Sequence, residues 1–292
     1  RGNSIYTIVD GPSWTEAETN SNKLGGHLVT INDQEENNFI EQITFNNSSQ
    51  SAWIGLSDVD SDGTWEWTSN LKSDYTNWDA TQNQPNGGSQ LYAGIIAGSL
   101  SDKDKDDEGR EAGSWHDYKL QNEPSKPQIG ISETSFIRRG DSAYVIVEGE
   151  SWIEAEANAN KLGGHLVAIN DAQENDYISS KLNIPNDWYF IGATDDNAYG
   201  ASEGNWLWTN GDSFSYTNWG IGEPNNQHPD GENFSGIGIG ILEEGSRWFN
   251  KWNDTVGLSP EKGIAEIKLA PNNAPTGTLS ITRDAKVGET IT

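Results

Sequence analysis

The chain has 292 residues, and its 45 acidic against 18 basic side chains leave a formal net charge of −27. That charge repels phosphate polyanions and anionic headgroups at long range, which disfavours nucleic acid, and no nucleic-acid partner is expected. The absence of cysteine excludes disulfides and thiolate metal sites, so a bound metal would have to rely on hard oxygen ligands and the few His. Thirteen Trp supply apolar area for folded cores, against a disordered acidic tail. No apolar run approaches the roughly 18 residues of a membrane-spanning helix, so direct membrane insertion is not expected.

From the N-terminus, Ser13 and Glu16 have capping-box spacing ahead of an apolar-periodic stretch, and Gly25 follows its last apolar position; together they predict a helix of about three turns. Asp33 and Glu36 open a second helix, with Phe39, Ile40 and Ile43 on its buried face. Strand and loop follow: Trp53-Ile54-Gly55-Leu56, then Gly63-Thr64-Trp65-Glu66-Trp67, then a last strand around Ile129-Gly130-Ile131. Trp14 belongs to the apolar side of the first helix, and Trp65 and Trp67 alternate on one strand face, as core residues do.

The pattern then repeats at an offset of 138 residues. Ser151-Trp152-Ile153-Glu154-Ala155-Glu156 repeats the first capping box, and Lys161-Leu162-Gly163-Gly164-His165-Leu166-Val167 repeats Lys23-Leu24-Gly25-Gly26-His27-Leu28-Val29. Asp171 and Glu174 open the second helix again, Trp206 and Trp208 match Trp65 and Trp67, and Trp219 matches Trp78. Copies this long are whole domains, since solenoid periods run about 20–50 residues. The class is α+β, with helices leading and antiparallel sheet following. Residues 1–137 form copy one, 138–270 copy two, and 271–292 a linker and the start of a further β-domain, with residues 138–141 as a short joint. His27 and His165, each after Gly-Gly, read as hydrogen-bonded structural residues.

Trp-x-Glu-Ala, Gly-His-Leu-Val-x-Ile, Trp-Ile-Gly-Leu, Gly-x-Trp-x-Trp, Asn-Trp-x-x-x-Glu-Pro-Asn and Trp-Asn-Asp, in this order, resemble the C-type lectin-like domain, in both copies. The departure is the absence of the disulfides typical of animal members; the cysteine-free form resembles modules of large bacterial surface proteins.

In copy two the loop from Glu223-Pro224-Asn225 to Glu232, with the later Asn253-Asp254, gathers three carboxylates and two neutral carbonyls, a set suited to a hard cation taking 6–8 oxygens, and calcium fits best. Without it, the carboxylates would repel one another, so loop order and metal binding are coupled. The resemblance implies a cis peptide before Pro224. It further implies that Glu223, Asn225, Glu232, Asn253 and Asp254 hold calcium and bind the vicinal hydroxyls of mannose, glucose or fucose rather than galactose. His228, in the same loop, reads as an exposed loop residue, with a sugar contact or tuning of affinity below pH 7 as the alternative. Copy one departs: Gln84-Pro85-Asn86, Gln90 and His116-Asp117 leave one carboxylate, so that site is expected to be degenerate. Asp58, Asp60 and Asp62 start like an EF-hand loop, yet Ser69 holds the twelfth position; they read as an acidic turn or a second cation site. The Lys- and Asp-alternating insertion at 102–108 reads as a solvated loop.

The expectation is a calcium-dependent carbohydrate-binding module of an extracellular adhesin or surface protein, with glycans and neighbouring domains of a longer chain as partners and no catalytic residues. The alternative is a calcium-stiffened protein-binding or structural spacer. A chain that starts at Arg1 and lacks Met reads as an excised fragment.

Overall fold

The computed structural model describes residues 1–47, 51–97, 111–119, 127–182, 187–239 and 249–270. The insertion at 102–108 and the strand expected at 278–282 lie outside them. Copy one runs β1 (Ser4–Asp10), α1 (Trp14–Lys23), β2 (His27–Leu28), α2 (Gln34–Asn46), β3 (Ser51–Ser57), β4 (Glu66–Trp67), β5 (Tyr92–Ile96), β6 (Trp115–Tyr118) and β7 (Ile129–Ser135). Its sheet has the order β1-β7-β3-β5-β6, with β2 beside β7 and β4 beside β3. Copy two runs β8 (Ile137–Arg139), β9 (Ser142–Glu148), α3 (Trp152–Lys161), β10 (His165–Leu166), α4 (Ala172–Lys181), β11 (Asp187–Thr194), β12 (Leu207–Trp208), β13 (Phe234–Ile239), β14 (Trp252–Thr255) and β15 (Lys262–Lys268). Its sheet has the order β14-β13-β11-β15-β9-β8. Both are α+β and largely antiparallel, but helices do not lead as the sequence suggests: β1 and β9 precede the helices and pair with the last strand of their copy, β7 and β15.

The helix starts follow from their caps. Ser13 Oγ accepts from the Glu16 amide at 3.3 Å and donates to Glu16 Oε2 at 2.6 Å, and Ser151 accepts from the Glu154 amide at 3.2 Å. Asp33 and Asp171 cap α2 and α4 through the Glu36 and Glu174 amides at 2.7 and 2.6 Å. Buried carboxylates then brace helix to strand: Glu18 accepts from the Leu28 amide at 2.8 Å and meets His27 Nδ1 at 2.6 Å, and Glu156 repeats this with Leu166 at 2.7 Å and His165 at 2.6 Å. Both His thus take structural roles. The Glu18 hydrogen bond outweighs partial burial and raises the His27 pKa.

Tryptophans supply much of each core, and they set the strand that carries the later functional residues. Trp252 on β14 is fully buried, packs edge-on against Trp208 at 5.5 Å and Trp219 at 5.7 Å, and donates from Nε1 to Asn175 Oδ1 on α4 at 2.9 Å. Trp115 on β6 does the same with Trp67, Trp78 and Asn37, whose Oδ1 lies 2.7 Å from its Nε1.

Residues 138–141, a bare joint by sequence, are partly strand: β8 folds back on β9 through Gly140 at φ +61°, placing Ile137 opposite Tyr144 and Arg139 opposite Ser142. The end of α1 then meets copy two, where Lys23 Nζ lies 3.4 Å from Glu154 Oε1. At Gly25, φ +76°, a Cβ would stand 1.9 Å from the Ile146 carbonyl oxygen, so glycine here permits both the helix stop and the close approach.

Candidate functional site

The long loop of copy two is delivered to β14 by its own backbone. Residues 218–220 run beside the strand, with the Trp252 amide donating to the Asn218 carbonyl at 3.0 Å and the Gly220 amide to the Trp252 carbonyl at 2.8 Å. A turn closed by the Glu223 amide on the Gly220 carbonyl at 3.1 Å follows, with Gly222 at φ +93°. The Glu223–Pro224 peptide is cis, as the sequence resemblance implies. This chain path brings Glu223-Pro224-Asn225 to Asn253-Asp254.

Asp254 organises what arrives. It is 1 % exposed, and its Oδ2 accepts from the Asn225 and Asn226 amides at 2.8 and 2.7 Å. Asn225 Nδ2 donates to Glu223 Oε2, while Asn225 Oδ1 accepts from the Gln227 amide at 3.0 Å. The same Gln227 amide reaches Glu232 Oε2 at 2.7 Å, and the Glu232 amide donates to Asn226 Oδ1 at 2.8 Å. Asn253 Nδ2 turns to the Asp254 carbonyl at 2.7 Å. The five residues singled out by sequence therefore share one loop–strand junction. Glu223, Glu232 and Asp254 are held there through amides, and they are not gathered within 4.8 Å of one another as a set of three. His228 is half-exposed, its Nδ1 accepting from the Asp230 amide at 3.2 Å.

Two further acids that the sequence reading passed over belong to this site. Asp195, at the end of β11, is 4 % exposed, and its Oδ2 accepts from the Gly204 amide at 2.8 Å. Burial raises its pKa, and the neighbouring charges of Glu203 and Asp254 push the same way. Glu203 is tied in by Asn226 Nδ2 at 2.8 Å. The signal was present in the repeat: Asp195 and Glu203-Gly204 stand where copy one has Asp58 and Asp62-Gly63.

The donor set fits a hard divalent cation. Asp195 Oδ1 and Asp254 Oδ1 are both buried without a hydrogen-bond partner among the described residues, and buried carboxylate oxygens of this kind cost several kcal/mol unless something neutralises them. Glu203, Glu223 and Glu232 add charge, and Asn225, Asn226 and Asn253 add neutral oxygens, the mixture calcium takes.

Copy one fills the same place with its own groups. His116 Nε2 lies 3.0 Å from Asp79 Oδ2, both side chains buried. Burial opposes the Asp79 charge, but the Thr81 hydroxyl, the His116 ring and the Glu111 and Thr81 amides prevail and hold its pKa down at about 2. Asp117 Oδ2 accepts from the Gly87 amide at 2.8 Å, its carbonyl from Gln90 at 3.2 Å, and its amide donates to Gln84 at 3.4 Å. Its Oδ1 has no partner among the described residues, and burial raises its pKa. Asp79 is an acid that the repeat comparison alone did not bring out. Asp58, Asp60 and Asp62 do bring one oxygen each within 4.8 Å of one another, with Asp58 accepting from the Asp62 and Gly63 amides at 3.1 and 3.2 Å.

Against known proteins, the profile of the lectin C-type domain matches residues 10–119 and 148–262. Human C-type mannose receptor 2 is 27 % identical over 232 residues, covering 73 % of this chain and 15 % of the receptor. Human asialoglycoprotein receptor 2 is 31 % identical over 130 residues, 44 % of this chain and 38 % of that protein. The carbohydrate-recognition domain of the mouse scavenger receptor C-type lectin aligns at 26 % identity and a TM-score of 0.39, covering 46 % of this chain and 94 % of that one. This chain thus spans only a small part of the receptors it resembles. These relatives are animal proteins and lend no support to a bacterial source.

Proposed function

The chain belongs to the C-type lectin family, and on that premise we propose that copy two is a calcium-dependent carbohydrate-binding module, with copy one as its structural neighbour. The observation that carries this reading is the pair of buried carboxylate oxygens of Asp195 and Asp254, without a hydrogen-bond partner among the described residues and set among Glu203, Glu223, Glu232 and three Asn side chains. Calcium would be held by Glu223, Asn225, Glu232, Asn253 and Asp254, with Asp195, Glu203 and Asn226 beside them. Bound there, it supplies Lewis-acid coordination positions for two vicinal hydroxyls of a hexose.

The protein side of recognition follows from the donors and acceptors. A carboxylate accepts and an amide NH2 donates, so Glu223 accepts a hydrogen bond from one hydroxyl while Asn225 donates one to a hydroxyl oxygen. Asp254 contributes by pinning the Asn225 and Asn226 amides, which fixes where the Asn225 side chain starts. The Glu-Pro-Asn order favours mannose-, glucose- or fucose-type sugars. In copy one Gln84 replaces the acid, and the Asp79–His116 pair lies beside the remaining Asp117. Such a module binds rather than catalyses, and no membrane-crossing helix is present among the described residues. We place it in an extracellular or surface-exposed chain, as an adhesive or receptor-like module.

Glycan-array binding tests this. Mannose-type binding that a chelator abolishes supports it, as does a move toward galactose in Glu223→Gln/Asn225→Asp. Binding indifferent to chelator, or none to any glycan, favours the spacer reading.

A further inference from the structure

The ring contacts under the long loop repeat between the copies almost without change. Trp67 meets Trp115 at 5.6 Å and Trp208 meets Trp252 at 5.5 Å. Trp65–Trp78 and Trp206–Trp219 stand at 4.7 and 4.8 Å, and Tyr75–Trp115 and Tyr216–Trp252 both at 5.7 Å. One contact does not repeat. In copy two Phe214 lies on Trp208 at 5.0 Å and packs against the core, whereas Ser73 holds the matching place after Trp67 in copy one.

Around Ser73 and Trp67, copy one has a groove of about 290 Å³ lined by residues 65–67 and 70–74. Trp67 is 7 % exposed in it, against 2 % for Trp208 beside its phenyl ring. The Ser73 hydroxyl is engaged elsewhere, donating to the Ile31 carbonyl at 2.8 Å and accepting from the Tyr75 amide at 3.3 Å. Leu71 is 57 % exposed although apolar, and it too lines the groove. Copy two has Asp212 there, which accepts from Asn170 and Asn210, so the apolar wall belongs to copy one alone. The rim is acidic: Glu66 and Asp74 flank a single Lys72, and Glu66 pairs with Ser57, the residue before the Asp58, Asp60 and Asp62 turn.

We propose that this groove is a docking slot for one aromatic side chain of a partner polypeptide, a phenylalanine with basic neighbours, seated on Trp67 as Phe214 is seated on Trp208. The ring buries its apolar area against Trp67, Trp65 and Leu71, in the tilted or edge-on contacts that aromatic pairs favour. The acidic rim and the chain's net charge of −27 draw a cationic segment. The groove is just below the roughly 300–1,000 Å³ of sites that enclose a whole drug-sized ligand, which suits one side chain while its basic neighbours rest on the rim. This inference does not rest on the sugar reading. It gives copy one, whose cation set is degenerate, a binding role of its own.

The test is titration of the full chain at low ionic strength with acetyl-Lys-Phe-Lys-amide, acetyl-Lys-Ser-Lys-amide and benzyl alcohol, read at the Trp65 and Trp67 indole NH resonances. The Phe peptide should shift both and bind at least about tenfold more tightly than the other two. Ser73→Phe, which installs the ring of copy two, should abolish the shifts and raise the melting temperature of copy one. Leu71→Ser, at an exposed position, should weaken the Phe peptide about tenfold, and it decides the matter where Ser73→Phe does not fold. Resonances unmoved by the Phe peptide, a Ser peptide that binds as tightly, or binding undiminished in Leu71→Ser overturns the slot. Benzyl alcohol bound as tightly as the Phe peptide overturns the assignment to a polypeptide.

Discussion

Replacing Asp254 by Asn separates the two tasks of this side chain. One carboxylate oxygen holds the loop through the Asn225 and Asn226 amides, at 2.8 and 2.7 Å, and the amide oxygen of Asn can do the same. The other oxygen is buried without a partner among the described residues, and the NH2 group would stand in its place while removing the charge that repels Asp195. Without calcium, the variant should therefore fold with a stability within about 1 kcal/mol of wild type. With calcium at a hundred times its dissociation constant, linkage should stabilise wild-type copy two by about 2.7 kcal/mol, or roughly 10 °C in Tm for a domain of this size. Asp254→Asn should lose most of that gain, because a neutral amide is a weaker ligand for a hard cation. Scanning calorimetry with calcium or with chelator resolves both effects. A variant that keeps the full calcium shift, or one that fails to fold in chelator, refutes the assignment of the two oxygens.

Asn175→Ala strips the acceptor from buried Trp252 and one of two side-chain donors from the Asn250 carbonyl, so copy two should lose about 1–3 kcal/mol in chemical denaturation and bind calcium more weakly as β14 loosens. Asp79 has a depressed pKa, so its stabilisation is complete above its ordinary value near pH 4 and is lost as the pH falls toward 2; Asp79→Asn should lose about 2 kcal/mol at neutral pH and flatten the acid limb of the stability curve. His27 has a raised pKa, so the protonated ring stabilises below about pH 6.5 and that part fades as the pH rises; with the side chain 45 % exposed the effect should stay under about 1 kcal/mol, read as a small alkaline-side difference from His27→Gln. Gly25→Ala and Gly163→Ala share a left-handed backbone costing about 1 kcal/mol, but only the former meets a carbonyl, so it alone should separate the melting of the two copies.

Much of the fold was legible because it is locally encoded. The capping pairs Ser13/Glu16, Ser151/Glu154, Asp33/Glu36 and Asp171/Glu174 start helices where spacing predicts, and the alternating Trp pairs end up in the cores. The site was legible where ligands cluster in sequence, in Glu223-Pro224-Asn225 and Asn253-Asp254. Where the fold supplies them from afar, only the match of Asp195 and Glu203 to Asp58 and Asp62 in the repeat signals them. Asp195 and Glu203 lie well upstream of Asp254, and only the sheet and the Asn226 bridge bring them into range. In copy one the Asp79–His116 pair was hidden for the same reason: nothing local joins a residue after Trp78 to one after Trp115 until Trp115 accepts the strand beside it. The strand character of Ile137–Arg139 depends on an exposed edge of β9, which exists only once copy two has folded.

Direct calorimetric counting of methyl α-mannoside sites bears most squarely on the central claim. One site per chain with calcium, and none after chelation, is the predicted result. Two equal sites, sugar bound without divalent cation, or calcium binding with no sugar at any concentration reached would contradict it.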